Sequence, residues 1–311
     1  MDFGKLTNIK NVDFTLPPDR PETLKILRGL PKREGLPRVY VGCTGWVMKE
    51  WVGHIYPKGA KPPDYLHHYS RQFNTIEMNT THYRTPSFIP SGVLDIQKWY
   101  DATPADFRFA PKMLQTISHS HNLGFGTGLT AEFCEAILGL EEKLGVCFMQ
   151  MPPHFQNKNL PILEAFLRNF SKNVHLALEI RHEEWFSNPH YFDRLFQLLE
   201  NSVISTVITD VAGRRDVLHQ RLTTGSVVIR FVGNNLHPTD FTRLDEWVLR
   251  LKKWFEMGLN EVYFFTHEPD NVKAQPPNHH KRHCSKIQML AFDDVKTSLF
   301  WGKAAERLSH F

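Results

Sequence analysis

The stretch His175-Leu-Ala-Leu-Glu-Ile-Arg-His-Glu-Glu-Trp185 sets a carboxylate and a guanidinium inside an apolar run. Read with period two, Leu176, Leu178 and Ile180 take one face, while Ala177, Glu179 and Arg181 take the other. Charges buried in a strand cost several kcal/mol unless they are paired or face a water-lined cavity. Two chemistries fit such a pair: acid/base work by Glu179, and anion binding or stabilisation of developing negative charge by Arg181. A buried ion-pair lattice that fixes strand register is the structural alternative.

The same phasing places further polar groups on inward faces elsewhere in the chain. Ile76 and Met78 alternate with Glu77 and Asn79; Phe107, Phe109 and Pro111 alternate with Arg108 and Lys112. Cys147, Met149 and Met151 flank Gln150, and Val227, Ile229 and Phe231 flank Arg230. Lys112 could be an amine nucleophile, a general base or an anion-binding cation, and the last is preferred on sequence grounds. His119 and His182 follow strands and could move protons near neutral pH. Trp46, Tyr83 and Trp185 sit just past strand ends, where aromatic rings would form walls around a ligand or cap an apolar rim. Asp210 and His267 close two strands and complete the set of substrate-binding candidates.

These residues need elements to position them. Strand candidates run over Val39–Cys43, Thr75–Asn79, Phe107–Lys112, Val146–Met151, Leu176–Arg181, Ile204–Asp210, Val227–Val232 and Val262–Thr266. Helical stretches between them cover Asp64–Gln72, Val93–Tyr100, Thr130–Leu144, Leu160–Asn169, Pro189–Glu200 and Arg243–Met257, with a short candidate at Asp216–Leu222 and a last one at Asp293–His310. Strict alternation implies parallel strands with right-handed crossovers, so the expected fold class is α/β, a single closed (β/α)8 TIM-type barrel over 38–311. An open doubly wound sheet is the alternative, but Gly42-Cys-Thr-Gly-Trp46 is not the dinucleotide fingerprint. Residues 1–37 carry Pro17, Pro18, Pro21, Pro31 and Pro37 and read as an irregular extension, with at most a helical turn or two over Thr23–Arg28.

Bulk properties exclude several classes. The 37 basic and 33 acidic residues leave a formal net charge of +4, far from the dense basic surface of a dedicated nucleic-acid binder. Cys43, Cys134, Cys147 and Cys284 are widely spaced, and neither a secretory leader nor a membrane-spanning run is visible, which points to the cytoplasm. Glu77, Glu179, Asp210, His182 and His267 could converge on a metal, but no close-spaced ligand pair supports one, and the interleaved cations oppose it. No metal or other cofactor is therefore expected. Gly124-Phe-Gly-Thr-Gly128 is a weak phosphate-loop candidate, and His279-His-Lys-Arg-His283 reads as a solvated loop.

Several motifs together carry a resemblance. Gly42-Cys-Thr-Gly-Trp46 with Trp51 and Tyr56-Pro57, Phe73-Asn-Thr-Ile-Glu-Met-Asn79 with Tyr83-Arg84, Phe107-Arg-Phe-Ala-Pro-Lys112 with Ser118-His119, Gln150-Met-Pro-Pro-His-Phe155 and Glu179-Ile-Arg-His-Glu-Glu-Trp185 resemble the YecE-like family, domain of unknown function 72, over roughly residues 38 to 270. The resemblance implies a TIM-type barrel and brings no established activity with it. The chain departs from the family pattern at His82, Val232 and Thr266-His267, all at the expected barrel mouth.

The sequence thus points to a metal-independent enzyme, a hydrolase or an isomerase/lyase, acting on a small anionic, sugar-phosphate-like or nucleotide-derived substrate. Glu179, Glu77, Lys112 and His182 are its catalytic candidates; Arg181, Arg230, Asn79, Gln150, Tyr83, Trp46, Trp185, His119, Asp210 and His267 are its binding candidates. A metal-dependent phosphoesterase or sugar isomerase is one alternative. Another is a non-catalytic module that grips nucleotides or nucleic acid through basic loops such as Gly213-Arg-Arg-Asp216.

Overall fold

The computed structural model describes residues 4–86 and 93–267. The expected helix at Asp293–His310, the His279–His283 cluster, Glu268 and Cys284 lie outside them. Within the described residues each apolar run forms a strand: β1 Arg38–Gly42, β2 Thr75–Met78, β3 Arg108–Pro111, β4 Cys147–Gln150, β5 Leu176–Glu179, β6 Ser205–Asp210, β7 Ser226–Val232 and β8 Glu261–His267. The helices are α1 Pro21–Gly29, α2 Tyr65–Tyr69, α3 Thr80–Tyr83, α4 Val93–Ala102, α5 Gln115–Ser118, α6 Leu129–Leu138, α7 Leu160–Asn169, α8 Glu184–Ser187, α9 Pro189–Asn201 and α10 Pro238–Glu256.

Local chemistry explains several boundaries. In α9 the Asn188 side chain accepts from the His190 amide, Pro189 opens the first turn, and Phe192, Leu195, Phe196 and Leu199 form the buried stripe. Helix α10 begins at Pro238 rather than Arg243, because its first turn is polar and His237 caps it without any apolar period to announce it. The helix expected over Thr130–Leu144 ends at Leu138; Gly139 caps it, and a positive φ of 51° at Glu141 breaks the path to a separate turn at Glu141–Lys143. Of the Asp216–Leu222 candidate only Asp216 and Val217 are helical, in a single turn at Arg215–Val217. There the Thr23 hydroxyl donates to the Gln220 carbonyl and accepts from the Leu222 amide, which ties this segment to α1 instead.

All strand pairs are parallel. Six strands pair in the order β1-β8-β7-β6-β5-β4, and β2 pairs with β3 in a separate two-stranded sheet. The single continuous eight-stranded ladder expected from the sequence is therefore corrected to an α/β fold with a six-stranded parallel sheet and a two-stranded companion. Both seams have a local cause. Between β1 and β2 the Asn74 side chain replaces ladder bonds, accepting from the Val41 amide at 2.8 Å and donating to the Val39 carbonyl at 2.8 Å. A Cβ at Gly42 would meet the Thr75 carbonyl oxygen at 2.1 Å, so this close approach needs glycine. Between β3 and β4, Pro111 has no amide to donate, and the strands are joined by the Gly145 amide on Phe109 O at 2.8 Å and the Met113 amide on Phe148 O at 2.9 Å.

Two kinds of apolar layer result. Ile76, Phe107 and Phe109, then Cys147, Met149 and Met151, then Val227, Ile229 and Phe231 pack outward in clusters with neighbouring loops and helices. On the opposite face Tyr40, Ala110, Val146, Phe148, Ala177, Val207, Val228, Tyr263 and Phe265 meet in one cluster. The charged groups lie beyond this inner layer, towards the C-terminal ends of the strands.

The N-terminal extension is more regular than expected. Helix α1 spans nine residues and buries Thr23 and Leu27. Ahead of it, Asp19 accepts from Arg250 at 2.9 Å, Lys253 at 2.6 Å and the Trp254 indole at 2.9 Å, which straps the segment to α10. No helix among the described residues is long and apolar enough to cross a membrane.

Candidate functional site

Arg230 is the centre of a buried charge network at the C-terminal strand ends. It reaches Glu77 with two prongs, Nε to Oε2 at 2.9 Å and Nη2 to Oε1 at 2.9 Å, and turns Nη1 to Glu179 Oε2 at 2.9 Å. The planar guanidinium fork makes one side chain on β7 able to join β2 to β5. Glu179 also accepts from Arg181 Nε at 2.7 Å, Gln150 Nε2 at 2.8 Å and Thr209 Oγ1 at 3.0 Å. Glu77 also meets Asn79 Nδ2 at 3.2 Å and His267 Nε2 at 3.1 Å. These contacts draw together Glu77, Asn79, Lys112, Gln150, Glu179, Arg181, Arg230 and His267, all candidates from the sequence.

The electrostatics separate the roles. Burial alone would raise Glu179, but Arg181 and Arg230 outweigh it and hold the carboxyl at about 2. Burial likewise opposes ionisation of Glu77, and Arg230 and His267 overcome it, holding it well below the usual carboxylate range. Both carboxylates are thus fixed as anions at neutral pH, with their lone pairs engaged. Burial lowers His267 more than the neighbouring Glu77 raises it.

Lys112 stands apart. It is 2% exposed, and its amine donates to the neutral Gln150 Oε1 at 3.0 Å; no carboxylate pairs with it among the described residues. Burial, then the nearby Arg230, lowers it to about 8, against the opposing pull of Glu77 and Glu179. Arg230 is thus shared by both carboxylates and Arg181 pairs with Glu179, whereas the Lys112 amine meets an uncharged amide oxygen.

Other candidates lie elsewhere or differ in kind. Asp210 faces away from the network: it accepts from Arg243 Nη2 and the Trp247 indole, each at 2.8 Å, and pairs with Arg215. Asp210→Asn is expected to lower stability by about 3 kcal/mol, because it breaks a fully buried ion pair, and to leave anion affinity unchanged; urea unfolding and a binding titration check the two halves. Trp185 is fully buried and donates to the Phe155 carbonyl at 2.7 Å, so it is core rather than a ligand wall. Tyr83 is 75% exposed, and Trp46 packs edge-on to Trp99. His182 is half-buried, its Nδ1 accepting from the Glu184 amide at 3.2 Å. His119 lies beside Ser118 Oγ at 2.9 Å and is lowered by burial, Lys112, His154 and Arg181. Asp210 and His182 do not join Glu77, Glu179 and His267, and no group of three metal-ligating side chains gathers among the described residues.

Sequence reasoning missed Thr209 and His82 as site residues. A lone strand hydroxyl gives no signal; His82 stood out only as a departure from the family pattern. The loop proposed to grip nucleic acid is engaged internally: Arg214 bonds Asp216 and the Arg181 carbonyl, and Arg215 bonds the Phe14 carbonyl at 2.9 Å. A groove of about 550 Å³ lies between the N-terminal extension and this loop, and a cleft of about 190 Å³ opens by Arg38, Tyr40 and Arg108 at the opposite strand ends. No network residue lines either, so neither space displaces the Lys112 cluster as the candidate site.

Fold and charge network together describe an α/β protein with a buried polar centre at its C-terminal strand ends. The family described as "Protein of unknown function DUF72" matches residues 40–288, and the chain belongs to it. It is similar to the UPF0759 protein YecE of Escherichia coli (strain K12), 29% identical over 254 residues, covering 76% of this chain and 88% of the relative. It is also similar to the UPF0759 protein YunF of Bacillus subtilis (strain 168), 26% identical over 209 residues, covering 63% of this chain and 71% of the relative. Among solved structures, a DUF72 family protein from Enterococcus faecalis V583 superposes with a TM-score of 0.64 at 19% identity, over 84% of this chain and 99% of that one. One from Thermotoga maritima MSB8 gives 0.57 at 23% identity, over 81% and 99%. These likenesses carry the fold alone.

Proposed function

We propose that this chain is a metal-independent enzyme acting on a small anionic substrate, sugar-phosphate-like or nucleotide-derived, at the C-terminal ends of its strands. The observation that carries the reading is Lys112, a buried amine hydrogen-bonded to a neutral amide rather than paired with a carboxylate among the described residues. A bound anion supplies the charged partner that the Lys112 amine lacks among the described residues. Because Glu77 and Glu179 are held ionised, they act as the frame that fixes Arg230 and Arg181, and Lys112 is the group that titrates near neutral pH. Proton transfer to or from a bound anion, in an isomerisation or a bond cleavage, then falls to Lys112.

The fold reading goes with this. The inner cluster draws on both sheets, and backbone bonds cross both seams, including the Glu77 amide on Cys43 O at 2.9 Å, which supports a single (β/α)8 barrel closed with interrupted ladders. Cys43, Cys134 and Cys147 are buried free thiols, which favours a reducing, cytoplasmic setting.

The experiment is a binding and turnover screen on protein purified in phosphate-free buffer. Inorganic phosphate is expected to raise the melting temperature in a saturable way, and at least one sugar phosphate or nucleotide is expected to be converted, with conversion lost in Lys112→Met. No saturable anion binding and no conversion across the screen would overturn the reading.

A further inference from the structure

Helix α3 is fastened to the exit of β3 by two side chains. The Thr81 hydroxyl lies 2.8 Å from the Lys112 carbonyl, and His82 Nδ1 lies 2.7 Å from the Met113 carbonyl. A carbonyl oxygen only accepts, so Nδ1 carries the proton, and in a neutral ring Nε2 is then a lone-pair acceptor. The ring is neutral: burial, then the charge of Lys112, pushes it down to about 4. Arg181 and His119 press in the same direction, and the His119 ring stands edge-on with centroids 5.4 Å apart. His82 is 5% exposed, yet its Nε2 has no hydrogen-bond partner among the described residues. Nε2 is not one of the fully buried polar atoms left without a partner, so this acceptor touches solvent and is open to a donor from a bound ligand.

We propose that His82 and Lys112 read one ligand, an organic phosphate or carboxylate with a hydroxyl group next to its anion: Lys112 takes the anion, and His82 Nε2 accepts the hydroxyl hydrogen. This rests on the anion site proposed above and narrows its substrate class. A fully ionised simple anion offers only lone pairs to Nε2; a hydroxylated one keeps a donor at every pH. His82 is thereby a specificity residue.

The test is calorimetric titration with glycerol 3-phosphate and with propyl phosphate, which keeps the phosphate but lacks the hydroxyls. The unaltered protein is expected to bind glycerol 3-phosphate about fivefold or more tighter, the effect of one hydrogen bond, and His82→Phe is expected to bind both alike. Equal binding by the unaltered protein, or a preference that survives in His82→Phe, would overturn the proposal while leaving the anion site standing. Binding of neither phosphate would overturn the anion site and this proposal with it. A second readout needs no variant: the His82 Nε2 nitrogen resonance is expected to shift with glycerol 3-phosphate and to stay put with propyl phosphate at equal occupancy.

Discussion

Arg230→Met is expected to lower stability by about 3–5 kcal/mol, the range for removing one partner of a buried ion pair. The loss falls mainly on Glu77, which keeps only Asn79 and His267, whereas Glu179 keeps Arg181, Gln150 and Thr209. An exposed pair such as Arg168 with Glu164 would change stability by about 1 kcal/mol or less. The pH dependence separates the two cases. In the unaltered protein Glu77 and Glu179 are depressed on folding, so their stabilisation is present above the unfolded carboxylate value of about 4.3 and is lost as pH falls through their folded values, about 2 for Glu179. With Arg230 gone, Glu77 is a buried, undercompensated carboxyl raised on folding, and its penalty fades as pH falls. Urea midpoints are therefore expected to differ most at pH 7 and to draw closer at pH 4, where the variant's penalty has faded but most of the unaltered protein's stabilisation remains. Adding Glu77→Gln to Arg230→Met should recover part of the loss.

Lys112→Met is expected to weaken phosphate binding by about 10- to 100-fold, the worth of a charge-assisted hydrogen bond in a buried site. Stability should stay level or rise by up to about 2 kcal/mol. Two effects oppose: a buried charge without a carboxylate partner disappears, and Gln150 Oε1 loses its donor. The sign of the pH effect follows from Lys112 being depressed to about 8 on folding. The unfolded chain holds that proton up to about pH 10.4, so this group makes stability rise as pH goes from 8 to 10. Anion affinity moves the other way, falling as pH rises through 8. Lys112→Met should abolish both slopes, which calorimetry and urea unfolding at pH 7, 8 and 9 would show.

Much of this was legible in the sequence because strand periodicity is a local property. Glu77, Lys112, Gln150, Glu179, Arg181 and Arg230 were found by reading every second residue opposite an apolar face, and the structure brings those six together. Asp210 lies away from the network because its strand is apolar and polar on both faces: Val207 joins the inner cluster and Thr209 meets Glu179, while Ile208 and Asp210 face α10. Only Arg243, 33 residues later, explains a buried aspartate on that side. Trp185 reads equally as a ligand wall or an apolar cap, since a tryptophan after a strand end looks alike in sequence whether it faces ligand or core. The division of labour between carboxylates and lysine was illegible for a different reason. Glu179 reads as an acid/base until its four hydrogen-bond partners, drawn from β4 to β7, are seen around it. The interrupted ladder is also a long-range matter, set by Asn74 side-chain bonds and by Pro111 at a strand end.

The most direct measurement is a nitrogen NMR titration of the Lys112 amine in protein labelled at lysine, with and without inorganic phosphate. The account predicts a midpoint near the value of about 8 in the free protein, moving upward when phosphate binds and stabilises the charged form. A midpoint at the ordinary lysine value of about 10.4, indifferent to phosphate, would contradict it.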